Sequence, residues 1–71
     1  MKIYSIIINV TDDNPYLHEK SFKTYEEADQ KVLELGKEYV NDHGGEFSES
    51  DWCIYRGDYP EVTYSIEWTE I

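Results

Sequence analysis

The stretch from Ile3 to Val10 sets Tyr4, Ile6, Ile8 and Val10 on one side of an extended chain by the two-residue period of a strand, and adds Ile3 and Ile7 on the other. Apolar character on both faces predicts a strand with neighbours on either side in its sheet. Thr11-Asp12-Asp13-Asn14-Pro15 then gathers turn formers. Pro15 lacks a backbone donor and fixes its own φ, so the chain is expected to reverse there, and a weaker strand around Leu17 to Phe22 would complete a hairpin.

At Thr24 the period changes. Thr24-Tyr25-Glu26-Glu27 reads as a capping box, in which the Thr24 hydroxyl accepts from the Glu27 amide and the Glu27 carboxylate reaches back to the Thr24 amide. Tyr25, Ala28, Val32, Leu35 and Tyr39 follow at helical spacing, with Val40 extending the stripe, which predicts a helix whose apolar face meets the sheet. Glu26, Glu27, Gln30, Glu34, Lys37 and Glu38 fall on the opposite face, where Glu27 and Lys31 are spaced for an i,i+4 ion pair. Gly36 interrupts this helix at a cost of about 1 kcal/mol relative to alanine, and the expected return is close approach of the sheet. Asn41-Asp42-His43-Gly44-Gly45 should end the helix near Asn41, with a glycine in the left-handed conformation.

Glu46 to Asp51 reads as a polar, acidic connector with Phe47 as its one apolar residue. A short strand is expected at Trp52 to Tyr55, followed by a loop over Arg56-Gly57-Asp58-Tyr59-Pro60. From Val62 to Glu70 the alternation is almost unbroken, with Val62, Tyr64, Ile66 and Trp68 inward and Thr63, Ser65, Glu67 and Thr69 outward. The predicted order is therefore β-β-α-β-β. It describes one α+β domain over residues 1–71, with an antiparallel or mixed sheet of three to four strands and one helix on one face.

Composition changes this picture in one respect. Seventy-one residues place the domain near the size at which a single core yields only about 3 to 5 kcal/mol of net stability. Seven Tyr, two Trp and two Phe compensate, because each buried ring removes roughly 150–250 Å² from water. The same rings and the β-branched residues argue against disorder despite a formal net charge of -10. Cys53 is the only cysteine, so an internal disulfide is excluded and a reducing, cytoplasmic setting is expected. The apolar start is too short to span a bilayer and carries no small-residue cleavage site, so neither membrane nor export is predicted.

Candidate chemistry is sparse. His18, His43 and Cys53 lack metal-ligand spacing, and Cys53 lies between Trp52 and Ile54, where a packed, inert thiol is the default. Asp12-Asp13-Asn14 lacks the glycine and distal glutamate of a calcium loop. Arg56-Gly57-Asp58 spells an adhesion tripeptide that is better explained as a tight turn. Asn9-Val10-Thr11 matches a glycosylation sequon that has no use without secretion. No acid is set in an apolar context that would raise its pKa, and no glycine-rich loop precedes a helix. No catalytic residue, cofactor or metal is assigned, and the expectation is a protein that is not an enzyme.

Charge is the remaining signal. Met1 to Lys37 holds seven acids against five lysines, net -2, whereas Glu38 to Ile71 holds nine acids against the single Arg56, net -8. Such a field attracts cationic surfaces and disfavours direct nucleic-acid binding. Surface carboxylates on a small rigid body can imitate the phosphates of nucleic acid. The expected partner-binding set is Glu38, Asp42, Glu46, Glu49, Asp51, Asp58, Glu61, Glu67 and Glu70, with Tyr59, and also Tyr55, as aromatic anchors.

In size, strong negative charge, lack of a catalytic motif and the segment order Ile3–Val10, Thr24–Val40, Val62–Trp68, the chain resembles small acidic phage-encoded inhibitors of bacterial defence, the anti-CRISPR proteins. The resemblance implies stoichiometric binding to a basic protein surface, such as that of a nuclease or CRISPR effector subunit, in the bacterial cytoplasm; it assigns no individual residue. Two alternatives stand beside it. The chain could be an antitoxin, immunity-type protein or small regulatory subunit that binds its partner through an apolar sheet surface, and homodimerisation through the terminal strand is open.

Overall fold

The two most strongly patterned segments of the chain pair with each other. In the computed structural model, which describes residues 1–71, strand β1 (Lys2–Val10) lies antiparallel to β5 (Tyr59–Glu70) with Tyr4 opposite Trp68, Ile6 opposite Ile66, Ile8 opposite Tyr64 and Val10 opposite Val62. This register places both apolar sets on one face, which a slip of one residue would destroy. β2 (Tyr16–Phe22) forms a hairpin with β1, and β4 (Cys53–Arg56) pairs with the start of β5. A fifth strand, β3 (Glu46–Ser48), pairs with β4, so the sheet runs β2-β1-β5-β4-β3 and every neighbouring pair is antiparallel. Helix α1 (Tyr25–His43) carries the chain from one edge of the sheet to the other.

The α+β class and the single helix agree with the sequence reading, but the order is β-β-α-β-β-β and the sheet has five strands, not three to four. The extra strand comes from the segment read as a connector. Phe47 sits opposite Ile54 and lays its ring against the helix, where a Cβ on Gly36 would come within 2.6 Å of Phe47 Cε1 and Cζ. Three residues with one apolar side chain are too few for alternation to show. The last strand likewise begins at Tyr59, inside the expected loop, because Pro60 pairs opposite Tyr55. The register moves from Ile54–Val62 to Tyr55–Pro60, which leaves Glu61 as the extra residue of a β-bulge.

The core is Ile6, Ile8, Ala28, Val32, Ile54, Val62 and Tyr64. Of the predicted helix stripe only Tyr25 stays exposed, its ring edge-on to Tyr4. Of the inward set expected on β5, Val62, Tyr64 and Ile66 meet the core whereas Trp68 does not: it is 57% exposed, near the strand's end, with the Lys2 amine over its ring. Thr24 caps the helix, accepting from the Glu27 amide at 3.2 Å, but the reciprocal half of the expected capping box differs: the Glu27 carboxylate accepts from the Thr24 hydroxyl at 3.3 Å and not from the Thr24 amide. With that carboxylate turned to the cap, Lys31 pairs instead with Glu34, at 3.1 Å. The helix continues past Asn41 to His43, where Gly44 at φ 81° donates its amide to the Val40 carbonyl. No helix is long and apolar enough to cross a membrane.

Candidate functional site

Three chain reversals meet at the C-terminal end of α1. Thr11 donates its amide to the Glu61 carbonyl at 3.0 Å and its hydroxyl to the Pro60 carbonyl, which ties the β1–β2 turn to the start of β5. Tyr59 donates to Asp12 at 3.0 Å across the same junction. Arg56 donates to the His43 carbonyl at 2.7 Å, so the last turn of the helix is held by the β4–β5 turn. This end of the molecule gathers Asp12, Asp13, Asp42, Asp58 and Glu61, and although Gly44 and Arg56 satisfy the Val40 and His43 carbonyls, the helix terminus adds partial negative charge.

The one arginine in this region is already neutralised. Arg56 forms a two-point contact with Glu61, Nε to Oε1 at 3.0 Å and Nη2 to Oε2 at 3.2 Å, and Tyr39 donates its hydroxyl to the same carboxylate at 3.0 Å. These contacts hold the Glu61 carboxyl below its usual range, with the Arg56 hydrogen bonds first in effect and the Tyr39 hydroxyl second. The bulge makes this possible. Regular alternation would place Glu61 on the same face as Thr63, away from the helix, and the extra residue turns its side chain toward Tyr39. Glu61 is therefore a clasp inside the fold, although the sequence places it in the partner-binding set.

Beside this clasp, a groove of about 220 Å³ opens between the C-terminal half of α1 and the helix-side face of the sheet. Its floor is Ile8, Val10, Val62 and Tyr64, and its walls include Tyr16, Leu35, Tyr39 and His43. Glu38 and Asp42, one helical turn apart, form the acidic rim. Neither belongs to any of the chain's three ion pairs. Tyr39 and His43 pack together with ring centroids 4.6 Å apart and planes tilted by 40°. Tyr64 is only 5% exposed, and burial pushes its phenol up to about 12.

The remaining predicted residues lie elsewhere. Glu46 stands opposite Tyr55 on the sheet face away from the helix, and Glu49 and Asp51 occupy the turn between β3 and β4. Asp51 accepts from Tyr55 and Ser48, each at 3.4 Å. Glu67 faces outward on β5 opposite Ser5. Glu70 meets the N-terminal amine at 3.3 Å at the far end of the sheet. The ten residues thus divide into a cluster at the helix C-terminus, holding Glu38, Asp42, Asp58, Tyr59 and Glu61, and dispersed acids on the outer face and the opposite end. Asp12, Asp13, Tyr16 and Tyr64 join that first cluster unforeseen. Asp12 and Asp13 read as turn formers, and only the tertiary closure of the turns brings them beside the helix end.

No three or more His, Cys, Asp or Glu side chains come together as a metal site. Cys53 is buried, its thiol 3.7 Å from the Thr63 hydroxyl. No family model, curated protein or solved structure matches the chain.

Proposed function

We propose that the protein is a non-enzymatic inhibitor that occupies a cationic surface of a nucleic-acid-binding protein, in the manner of the phage-encoded anti-CRISPR proteins it resembles, and that it acts in the bacterial cytoplasm. The observation that supports this reading is the uncompensated acidic cluster at the helix C-terminus, where the local arginine is consumed by Glu61 and Glu38, Asp42, Asp13 and Asp58 are left without an ion-pair partner. Carboxylates held on a rigid body offer a lysine- and arginine-rich groove a substitute for phosphates, with fast and salt-sensitive association. The test is a pull-down from bacterial lysate eluted with stepped salt. A nuclease or CRISPR effector subunit released at moderate salt, and no longer retained by a Glu38→Lys/Asp42→Lys variant, is the expected result. Retention of no cationic protein would refute the reading.

A second reading has its own observation. Residues Ser65–Glu70 of β5 pair with β1 alone, so their other edge has no strand neighbour, and Trp68 beside it is 57% exposed. An open edge with an exposed indole suits strand addition by a partner or by a second copy. This is the geometry expected of an antitoxin, immunity-type or regulatory subunit that binds through its sheet. Such a complex would survive high salt, which separates it from the first reading.

A further inference from the structure

We propose that the groove between α1 and the sheet receives an arginine side chain of the partner, the guanidinium lying among Tyr16, Tyr39 and Tyr64 with Glu38 and Asp42 as its counter-ions. This rests on the inhibitor reading above and supplies its chemistry of recognition. The groove's volume falls below the roughly 300–1,000 Å³ of small-molecule sites, so it suits one side chain better than a nucleotide or a drug-sized ligand. Its charge selects a cation. Two carboxylates without ion pairs stand on the rim, the helix terminus contributes partial negative charge, and tyrosine ring faces carry a negative quadrupole.

One group in the groove lacks a partner. The Tyr64 ring is buried, and its hydroxyl forms no hydrogen bond within the chain but opens to solvent in the groove, free to meet an incoming donor, while Tyr39 beside it is satisfied by Glu61. A guanidinium has five donors in a planar fork, enough to serve a phenol oxygen and a carboxylate together, and it stacks on aromatic faces more readily than a strongly hydrated ammonium. The chain already contains a copy of this recognition. Arg56, at the same helix end, is held by two groups, the Glu61 carboxylate, itself bonded by the Tyr39 hydroxyl, and the helix-terminal His43 carbonyl.

The experiment is a titration of the ¹⁵N-labelled chain with hexa-arginine and, in parallel, hexa-lysine peptides. Hexa-arginine should shift the resonances of Leu35, Glu38, Tyr39, Asp42 and Tyr64 and bind more tightly than hexa-lysine. Tyr16→Ala, at an exposed edge position, should weaken it about 2- to 5-fold, the value of one cation–π contact. Glu38→Gln/Asp42→Asn should weaken it about 5- to 10-fold, while Glu67→Gln/Glu70→Gln, equal in charge change, should have less than half that effect. Equal losses from both double variants, or equal affinity for hexa-lysine, would overturn the arginine site and leave the acidic-surface reading standing. No binding of either peptide at low salt would overturn both.

Discussion

Gly36 shows how much one hydrogen atom decides in a fold this small. Alanine there should add about 1 kcal/mol of helix propensity, but its methyl group would meet the Phe47 ring at 2.6 Å. Overpacking of a tight contact costs roughly 1–3 kcal/mol, so the collision outweighs the propensity gain. Gly36→Ala is expected to lose about 1 kcal/mol, a fall in Tm of roughly 4–8 °C by thermal denaturation, and to become stabilising by up to about 1 kcal/mol in a Phe47→Leu background, where the ring is gone. Glu61 gives a prediction in pH. Its folded pKa lies below the unfolded value, so its contribution is complete above the ordinary carboxylate range and is lost as pH falls through the folded value. Glu61→Gln should therefore flatten the acid limb of stability, read from urea midpoints between pH 6 and 3. An unchanged limb would remove the clasp from the account.

At the scale of elements, the long patterned segments were legible and the short ones were not. The helix could be read because its cap and its stripe agree: Thr24 accepts the Glu27 amide as the capping box requires, and Ala28 and Val32 are buried as the spacing requires. Thr24→Ala should cost about 1 kcal/mol, visible as a shift in the urea midpoint with an unchanged slope. β1 and β5 were equally plain, since alternation over eight or nine positions admits one register against a covered face. β3 was hidden because a three-residue strand has no period; what makes it a strand is Phe47, seated between Gly36 and Ile54. The expected Glu27–Lys31 pair failed for a local reason, since the carboxylate that would make it is engaged at the cap.

For the whole molecule, charge and topology act against each other. A net charge of -10 on 71 residues stores self-repulsion, most densely where two turns and a helix terminus converge. Added salt should screen it, so Tm should rise with sodium chloride from low ionic strength to above 0.1 M, where the Debye length falls to about 10 Å. A Tm independent of salt would mean that the carboxylates are too dispersed to form a field, and would weaken the proposed function with it. The candidate site was legible only in outline. Charge along the chain pointed to the second half, and Glu38, Asp42, Asp58, Tyr59 and Glu61 do lie together at the helix end, but Glu46, Glu49, Asp51, Glu67 and Glu70 stand on other surfaces.

By itself, then, the amino-acid sequence determined the α+β class, the helix with its cap, the two long strands and the faces they bury, because each depends on neighbours within a few residues and on a repeating period. Only the tertiary structure decided the fifth strand, the bulge that turns Glu61 inward, and the union of Tyr16, Glu38, Asp42 and Tyr64 around one groove. These depend on side chains far apart in the chain meeting across the sheet and helix, where the local pattern carries no record of the partner.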